Sequence, residues 1–529
     1  MRGLMRGLRP VSRNVERKSC LPKVRWLNIN HRSNLDIPYN TGQATHESRE
    51  HYLPIPGNLT PGISAMEYFD RRLELSKRMP PSSLAILVGN VVQYSSGSVF
   101  YDFQQDNNLF YFTGWLEPNS VAIIEKHLDR GNDEDVLFHM LVPPKNPRAE
   151  IWEGERLGLE GAYDYFNTDN VDDIANIKSY FSKLLSRNSC IFWDDKSKGT
   201  RKNSKFDFSS FFNISNYDNN TAAVTVNDII SRSFKTVKPL EPITTDMRSI
   251  KSQDEINVMH AAAQISSRAI NKAIGKVGSP SPLLTERTLG KYLDYQFVKG
   301  GCDKQAYIPV VASGPNSLII HYTRNDDLLY KDEVVCIDAG GKLGGYCSDI
   351  SRAWPNSSKG FSQPQLDIYE VVLNANKRCI DMCFESNNIS LNEVHEISVN
   401  ELTRGLRKLP GFESVLEHEL SAQLYPHYIG HHLGLDLHDI PGVSRYKSIQ
   451  AGNVLTIEPG LYIPFSTRYP EWYRGIGVRI EDDVVVGKYP EEVLNLSSGC
   501  AKEVADIQSL VKNGISTPGI ENELVVLDI

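Results

Sequence analysis

Four carboxylates, each placed at or beside the end of an apolar run, constrain this chain more than any other feature. Val334-Val335-Cys336-Ile337-Asp338 reads as a buried strand that delivers a carboxylate. Ala339-Gly340-Gly341-Lys342-Leu343-Gly344-Gly345 and Tyr346-Cys347-Ser348-Asp349 follow. Glycines at these positions permit tight turns with positive φ, so a β-hairpin should bring Asp338 and Asp349 side by side. Leu455-Thr456-Ile457-Glu458-Pro459-Gly460 and Gly475-Ile476-Gly477-Val478-Arg479-Ile480-Glu481 repeat the pattern of strand, then acid. Singly, each has a plain reading as a turn acid or a solvated charge at a strand end. Brought together at neutral pH, carboxylates repel, and one takes up a proton unless a cation intervenes.

The second feature lies between Pro426 and Asp439. His427, His431, His432 and His438 are four of the chain's 13 histidines and stand among glycines. Histidines supply metal ligands and proton-transfer groups near neutral pH. The order along the chain is then Asp, Asp, His, Glu, Glu. Four carboxylates cannot share a buried site without cations, and two divalent ions supply the four charges that balance them. An oxygen-rich site with one imidazole suits Mn²⁺, or Co²⁺ and Fe²⁺, better than a closed thiolate zinc site. Paired metals lower the pKa of a bridging water and polarise a carbonyl, which is the chemistry of hydrolysis.

The rest of the chain sets the frame. At about 150 residues per domain, 529 residues suggest two to four domains. The net charge of −8 argues against a general nucleic-acid binder. No apolar run approaches the roughly 18 residues of a membrane span. Eight cysteines are too few for a disulfide scaffold and read as reduced thiols. Residues 1–34 hold nine Lys/Arg and one acid, Glu16, with leucines interleaved, the pattern of a mitochondrial transit peptide. A presequence cut after Trp26 would expose Leu27, which the enzyme could itself remove. Residues 35–60 are polar and read as a linker. From 61 to 240 an α/β domain is expected. Its first helix starts at Ser64 with Phe69, Leu73 and Leu75 inward, and strands follow at Leu84–Val88, Val121–Ile124 and Val136–Val142. Residues 200–221 read as a variable loop. A boundary near 240 leaves 241–529 for the domain that carries the acids, opening on a helix after Ser252.

The motifs resemble the aminopeptidase P, prolidase and methionine aminopeptidase superfamily of metallopeptidases. Phe110-Tyr111-Phe112-Thr113-Gly114 with Glu117-Pro118 is similar to the aminopeptidase P N-terminal domain. The string from Pro426 to Asp439, with Arg474 to Asp483, is similar to the mitochondrial branch that includes the fungal intermediate cleaving peptidase. The resemblance implies an α/β N-terminal domain followed by an α+β pita-bread catalytic domain of the creatinase/aminopeptidase kind. It implies that Asp338 holds one metal, that Asp349 and Glu481 bridge both, and that His431 and Glu458 hold the other. His321 matches a substrate-side histidine, His427 and His438 match histidines lining the scissile bond, and Arg479 matches an arginine near the metal-bound groups. Glu458 is also expected to relay a proton, and His432 receives no catalytic role.

The implied activity is a mitochondrial metalloaminopeptidase with two divalent metals, most simply Mn²⁺. It would remove one bulky residue (Tyr, Phe or Leu) from imported proteins after presequence cleavage, by attack of a metal-bridging hydroxide. A general Xaa-Pro aminopeptidase, a prolidase-type dipeptidase and a non-catalytic peptide-binding pita-bread module are the alternatives. The implied partners are the N-terminal segments of imported mitochondrial proteins, with no nucleic acid and no transmembrane span. A homodimer and a peripheral place on the inner membrane, within the matrix, belong to the same expectation.

Overall fold

The structure, a computed structural model, describes residues 42–195 and 221–514. The expected transit peptide, the Trp26–Leu27 cut and nearly all of the 200–221 stretch lie outside them.

A six-stranded mixed sheet organises the first half. In chain order its strands are β1 (Ser83–Val88), β2 (Val121–Lys126), β3 (Val136–Val142), β4 (Asn170–Asp173), β5 (Cys190–Phe192) and β6 (Thr236–Lys238), arranged β6-β5-β1-β2-β3-β4. The central β1 and β2 are buried along their whole length, as their unbroken apolar runs require. Helix Ala65–Lys77 begins where Ser64 accepts from the Glu67 amide. Its buried stripe is Tyr68, Arg71, Arg72 and Leu75, whereas Phe69 and Leu73 are only half-buried. The arginines displace the expected apolar face because they cap a second helix, Asn107–Thr113. Arg71 donates to the Tyr111 carbonyl at 3.0 Å and Arg72 to that of Phe112 at 2.9 Å.

The stretch read as a linker is packed from residue 42 onward. The Gln43 side chain donates to the Gly114 carbonyl at 2.7 Å and accepts from the Leu116 amide at 2.6 Å. Leu53 is buried, and Asn58–Thr60 pairs with Ile63–Ser64. Its polar residues satisfy backbone groups just past the Asn107–Thr113 helix, so the described part of this segment is packed against the N-terminal domain.

The second half is built from short antiparallel sheets with helices outside. β8 (Val310–Ser313), β9 (Val334–Asp338) and β12 (Ser351–Pro355) form one sheet, ordered β8-β9-β12. β7 (Lys304–Gln305) joins the hairpin β10 (Gly341–Leu343) and β11 (Tyr346–Cys347). β13 (Val454–Ile457) pairs with β16 (Asp482–Val485), and β16 with β17 (Leu494–Asn495). β14 (Gly460–Tyr462) pairs with β15 (Gly477–Arg479), and β15 lies against both β9 and β12. Helices Gln253–Gly275 and Glu286–Lys299 cover one side, and Gln363–Ile380 with Leu391–Leu406 the other.

One apolar core runs through both halves: Tyr68 and Phe110 pack in the same cluster as Leu343, Tyr346 and Leu433. The hairpin β10–β11 is the point of entry. Gly344 and Gly345 turn with φ of 53° and 89°, and a Cβ at Gly345 would lie 2.7 Å from the Phe110 ring. The Tyr346 hydroxyl donates to Glu255, which also caps the Gln253–Gly275 helix and lies 3.6 Å from Arg71. Among the described residues no helix is long and apolar enough to cross a membrane. The seven cysteines described, Cys379 and Cys383 included, are free and buried.

Candidate metal centre

Register places the first two carboxylates. Asp338 ends β9 opposite Ser351 of β12, and Asp349 stands two residues before Ser351. The connection leaves the sheet as the hairpin β10–β11, so the expected approach holds although the hairpin tip belongs to another sheet. At Gly340 a Cβ would lie 1.8 Å from the Ser348 carbonyl oxygen, which restricts that crossing to glycine. Tyr307 donates its hydroxyl toward both carboxylates, at 2.5 Å to Asp349.

The histidine loop is held against β13. Thr456 donates its amide to the His431 carbonyl at 2.9 Å, and the His431 amide donates to the Thr456 hydroxyl at 3.0 Å. Gly430 makes this possible, since a Cβ there would lie 1.9 Å from the Thr456 carbonyl oxygen. The His431 Nδ1 faces the His432 carbonyl at 2.9 Å, which can only accept, so Nδ1 carries the proton. The Nε2 lone pair then points at carboxylates, 3.5 Å from Asp349 Oδ2 and 3.8 Å from Glu458 Oε1. Acceptors facing one another in this way require a proton or a cation between them. Without metal the ring takes the proton: burial opposes its charge, but Asp349 and Glu458 push its pKa up to about 9.

Donor atoms of Asp349, His431 and Glu481 lie within 4.8 Å of one another. Asp338 adjoins through the shared Tyr307, and Glu458 through His431. Burial and neighbouring carboxylates push Asp338 up to about 6, Glu458 up to about 7 and Glu481 well above its ordinary range. Asp349, facing His431, is instead held low. Oxygen donors with one imidazole and a surplus of negative charge fit divalent cations.

Arg479 is buried and makes three contacts. It donates to Asp338 at 2.9 Å, to the Ser351 hydroxyl at 2.8 Å and to the Tyr462 hydroxyl at 2.9 Å. Ser351 in turn donates to Glu481 at 2.6 Å. Tyr462 lies 2.9 Å from the His427 Nε2, while the His427 Nδ1 faces the Tyr428 carbonyl at 2.9 Å. Both His427 nitrogens are therefore engaged, and burial with Arg479 pushes its pKa down to about 3. His438 is exposed, with its ring 4.3 Å from that of His431. His321 is also exposed, near enough to His427 and His438 to disfavour a proton on either.

Several residues of the site escaped the sequence reading. Asp483, fully buried, accepts from the Asp349 amide at 3.2 Å and the Ser348 hydroxyl at 3.0 Å. It adds a fifth carboxylate, which burial and Asp349 push well above its ordinary range. Tyr307, Ser351 and Tyr462 lie in unremarkable sequence. Asp436 and Asp439, quoted only as part of the histidine string, take on a bracing role. Arg248 pairs with them at 2.7 and 2.5 Å, and Lys251 reaches Asp439 at 3.0 Å. Asn107 donates to Asp436 at 2.5 Å, so the N-terminal half braces the histidine loop.

The description "Metallopeptidase family M24" matches residues 257–488, and "Aminopeptidase P, N-terminal domain" matches residues 68–192. Intermediate cleaving peptidase 55 of Saccharomyces cerevisiae is 46% identical over 492 residues, 93% of this chain and 92% of that protein. The Arabidopsis thaliana protein named "Intermediate cleaving peptidase 55, mitochondrial" is 34% identical over 473 residues, 89% of this chain and 88% of its own. Human Xaa-Pro aminopeptidase 3 is 31% identical over 485 residues, 89% of this chain and 90% of its own. The crystal structure of Icp55 from Saccharomyces cerevisiae lacking its N-terminal 58 residues matches with a TM-score of 0.76 at 44% identity. It covers 87% of this chain and 100% of that one.

Proposed function

The chain belongs to metallopeptidase family M24, and from that premise we propose that it removes a single residue from the N-terminus of proteins imported into mitochondria. It is a metal-dependent aminopeptidase with an α/β N-terminal domain and a pita-bread catalytic domain. Likeness to the intermediate cleaving peptidases over nearly the whole chain supports trimming after presequence removal. One observation carries the chemistry: the His431 Nε2 faces Asp349 at 3.5 Å and Glu458 at 3.8 Å, beside the exposed His438 ring.

Divalent metal held by Asp338, Asp349, His431, Glu458 and Glu481 supplies Lewis acidity toward the scissile carbonyl and lowers the pKa of water. The chain's own groups do the rest. A Glu458 carboxylate oxygen takes the proton released by attack and passes it to the departing amine. His438 donates to the carbonyl oxygen as charge develops there. His321 positions the substrate, and His427, fixed by Tyr462, walls the scissile bond. Arg479 keeps Asp338 ionised and oriented. Mn²⁺ as the metal, a pair of ions, a homodimer and a peripheral matrix location are parts of this proposal.

A second reading, general removal of a residue preceding proline, is favoured by the likeness to human Xaa-Pro aminopeptidase 3. The test offers the Mn²⁺-loaded protein two peptides, one beginning Tyr-Ser-Ala and one Arg-Pro-Pro, with products read by mass spectrometry. Chelator-sensitive loss of the single tyrosine is expected. Loss of only the arginine would move the assignment to the Xaa-Pro reading, and no cleavage of either by metal-loaded protein would overturn both.

A further inference from the structure

Residues 313–327 connect β8 to the segment before β9 and carry His321 at their exposed crest. They contain a 3-10 turn at Gly314–Leu318 but little other regular structure. One buried carboxylate outside the metal centre gathers them. Glu286 opens the Glu286–Lys299 helix and is 0% exposed. Its Oε1 accepts from the Ser313 amide at 2.9 Å and the Asn316 side chain at 3.0 Å. Its Oε2 accepts from the Tyr322 hydroxyl at 2.8 Å and the Asp327 amide at 2.9 Å. An ionised carboxylate has about four lone-pair sites, and all four are filled. Among the described residues no cation pairs with it.

The four donors come from both ends and the middle of the segment. Asn316 and Tyr322 flank His321, and Tyr322 is buried against Val310 and Ala312 of β8. The other face of the turn rests on the strand that carries Arg479: a Cβ at Gly477 would lie 2.5 Å from the Ser317 carbonyl oxygen. Hydrogen bonds from neutral donors to a buried charge are strong and directional, and none can be replaced by water here.

We propose that Glu286 is a positioning residue for the reaction, holding the 313–327 segment so that His321 stands over the metal centre. This rests on the substrate-side role given to His321 above.

The test uses the full chain loaded with Mn²⁺ and a double-mutant cycle of Glu286→Gln and His321→Ala. The amide of Glu286→Gln keeps the shape but turns a donor toward groups that already donate. Expected are a fall in kcat/KM of about tenfold or more for Glu286→Gln and a double variant no worse than His321→Ala alone. Metal content should stay at the wild-type level. Hydrogen exchange should rise in 313–327 and not in 334–349. Losses that multiply, wild-type turnover in Glu286→Gln, or loss of metal would overturn the proposal. Wild-type turnover in His321→Ala would instead overturn the substrate-side reading beneath it, and the proposal with it. Should Glu286→Gln fail to fold, Tyr322→Phe removes one donor and leaves the carboxylate. A loss of about threefold, again absorbed by His321→Ala, is expected, and a multiplicative one would count against the proposal.

Discussion

The two faces around β12 and β16 bury charge in opposite ways. On one, Asp482 is fully buried and paired with Arg352 at 2.8 Å and Lys502 at 2.6 Å, and it accepts from Ser497 at 2.7 Å. These partners hold its carboxyl well below the ordinary range. Arg352 spends its remaining donors on the carbonyls of Ser351, Glu481, Cys500 and Ala501. On the other face stand Glu481 and Asp483, the immediate neighbours of Asp482, both pushed up by burial and by Asp349. Strand alternation separates a closed ionic cluster from an open one by a single residue. The closed cluster is neutralised by its own partners. The open one holds carboxylates raised by burial and by one another, and it is the cluster proposed above to hold the metal.

Four changes test that contrast, taken by size of effect. Asp349→Ala removes a carboxylate of the open cluster. Turnover should fall by about a thousandfold or more, ~4 kcal/mol, and metal content should drop, while the metal-free protein remains folded. Kinetics, metal analysis and thermal melts check it, and retained turnover would sink the metal assignment. Arg352→Met opens the closed cluster and leaves Asp482 buried beside Lys502 alone. A loss of about 3–5 kcal/mol in denaturant unfolding is expected, with much of it restored when Asp482 is also made apolar.

Acidity should separate the two faces in metal-free protein. Asp338 and Glu458 are raised, to about 6 and about 7, so their ionisation disfavours folding. Their penalty is absent below the ordinary carboxylate range, grows as pH rises from about 4 toward those values and is complete above them. The melting temperature without metal should therefore fall from about pH 4 to about pH 7, and Mn²⁺ should restore it. Asp482, held low, acts with the opposite sign, and its contribution is lost only as pH falls below the ordinary carboxylate range. A metal-free melting temperature flat across neutral pH would remove the contrast. The smallest effect is expected from Tyr462→Phe, which leaves Arg479 and His427 each short of one partner. About 1–2 kcal/mol of stability and roughly tenfold in kcat should be lost, with metal content intact.

The legible part of the site was the part written locally. Asp338, Glu458 and Glu481 stand where an apolar run meets an acid, and the histidines cluster within one loop. Tyr307, Ser351 and Tyr462 could not be found that way, and Asp483 stands in the same acidic run as Glu481 without a role that the run itself indicates. Each acts through a partner far along the chain, as Tyr462 does with His427 and Ser351 with Glu481. The inward face of the Ala65–Lys77 helix was misread for the same reason, since Arg71 and Arg72 are buried only because carbonyls of another helix need donors. Residues 42–60 looked like a linker because polarity in a sequence does not say which backbone groups it will satisfy.

The strands, their terminal acids, the glycine crossings and the histidine loop follow from the sequence by itself. Apolar periodicity, turn chemistry and charge are properties of neighbouring residues. Which acids face one another, and which are neutralised by Arg352 and Lys502, was decided only by the tertiary structure. Alternation puts adjacent residues on opposite faces, and the groups that meet each face come from other segments, Arg352 and Ser351 from 130 residues away.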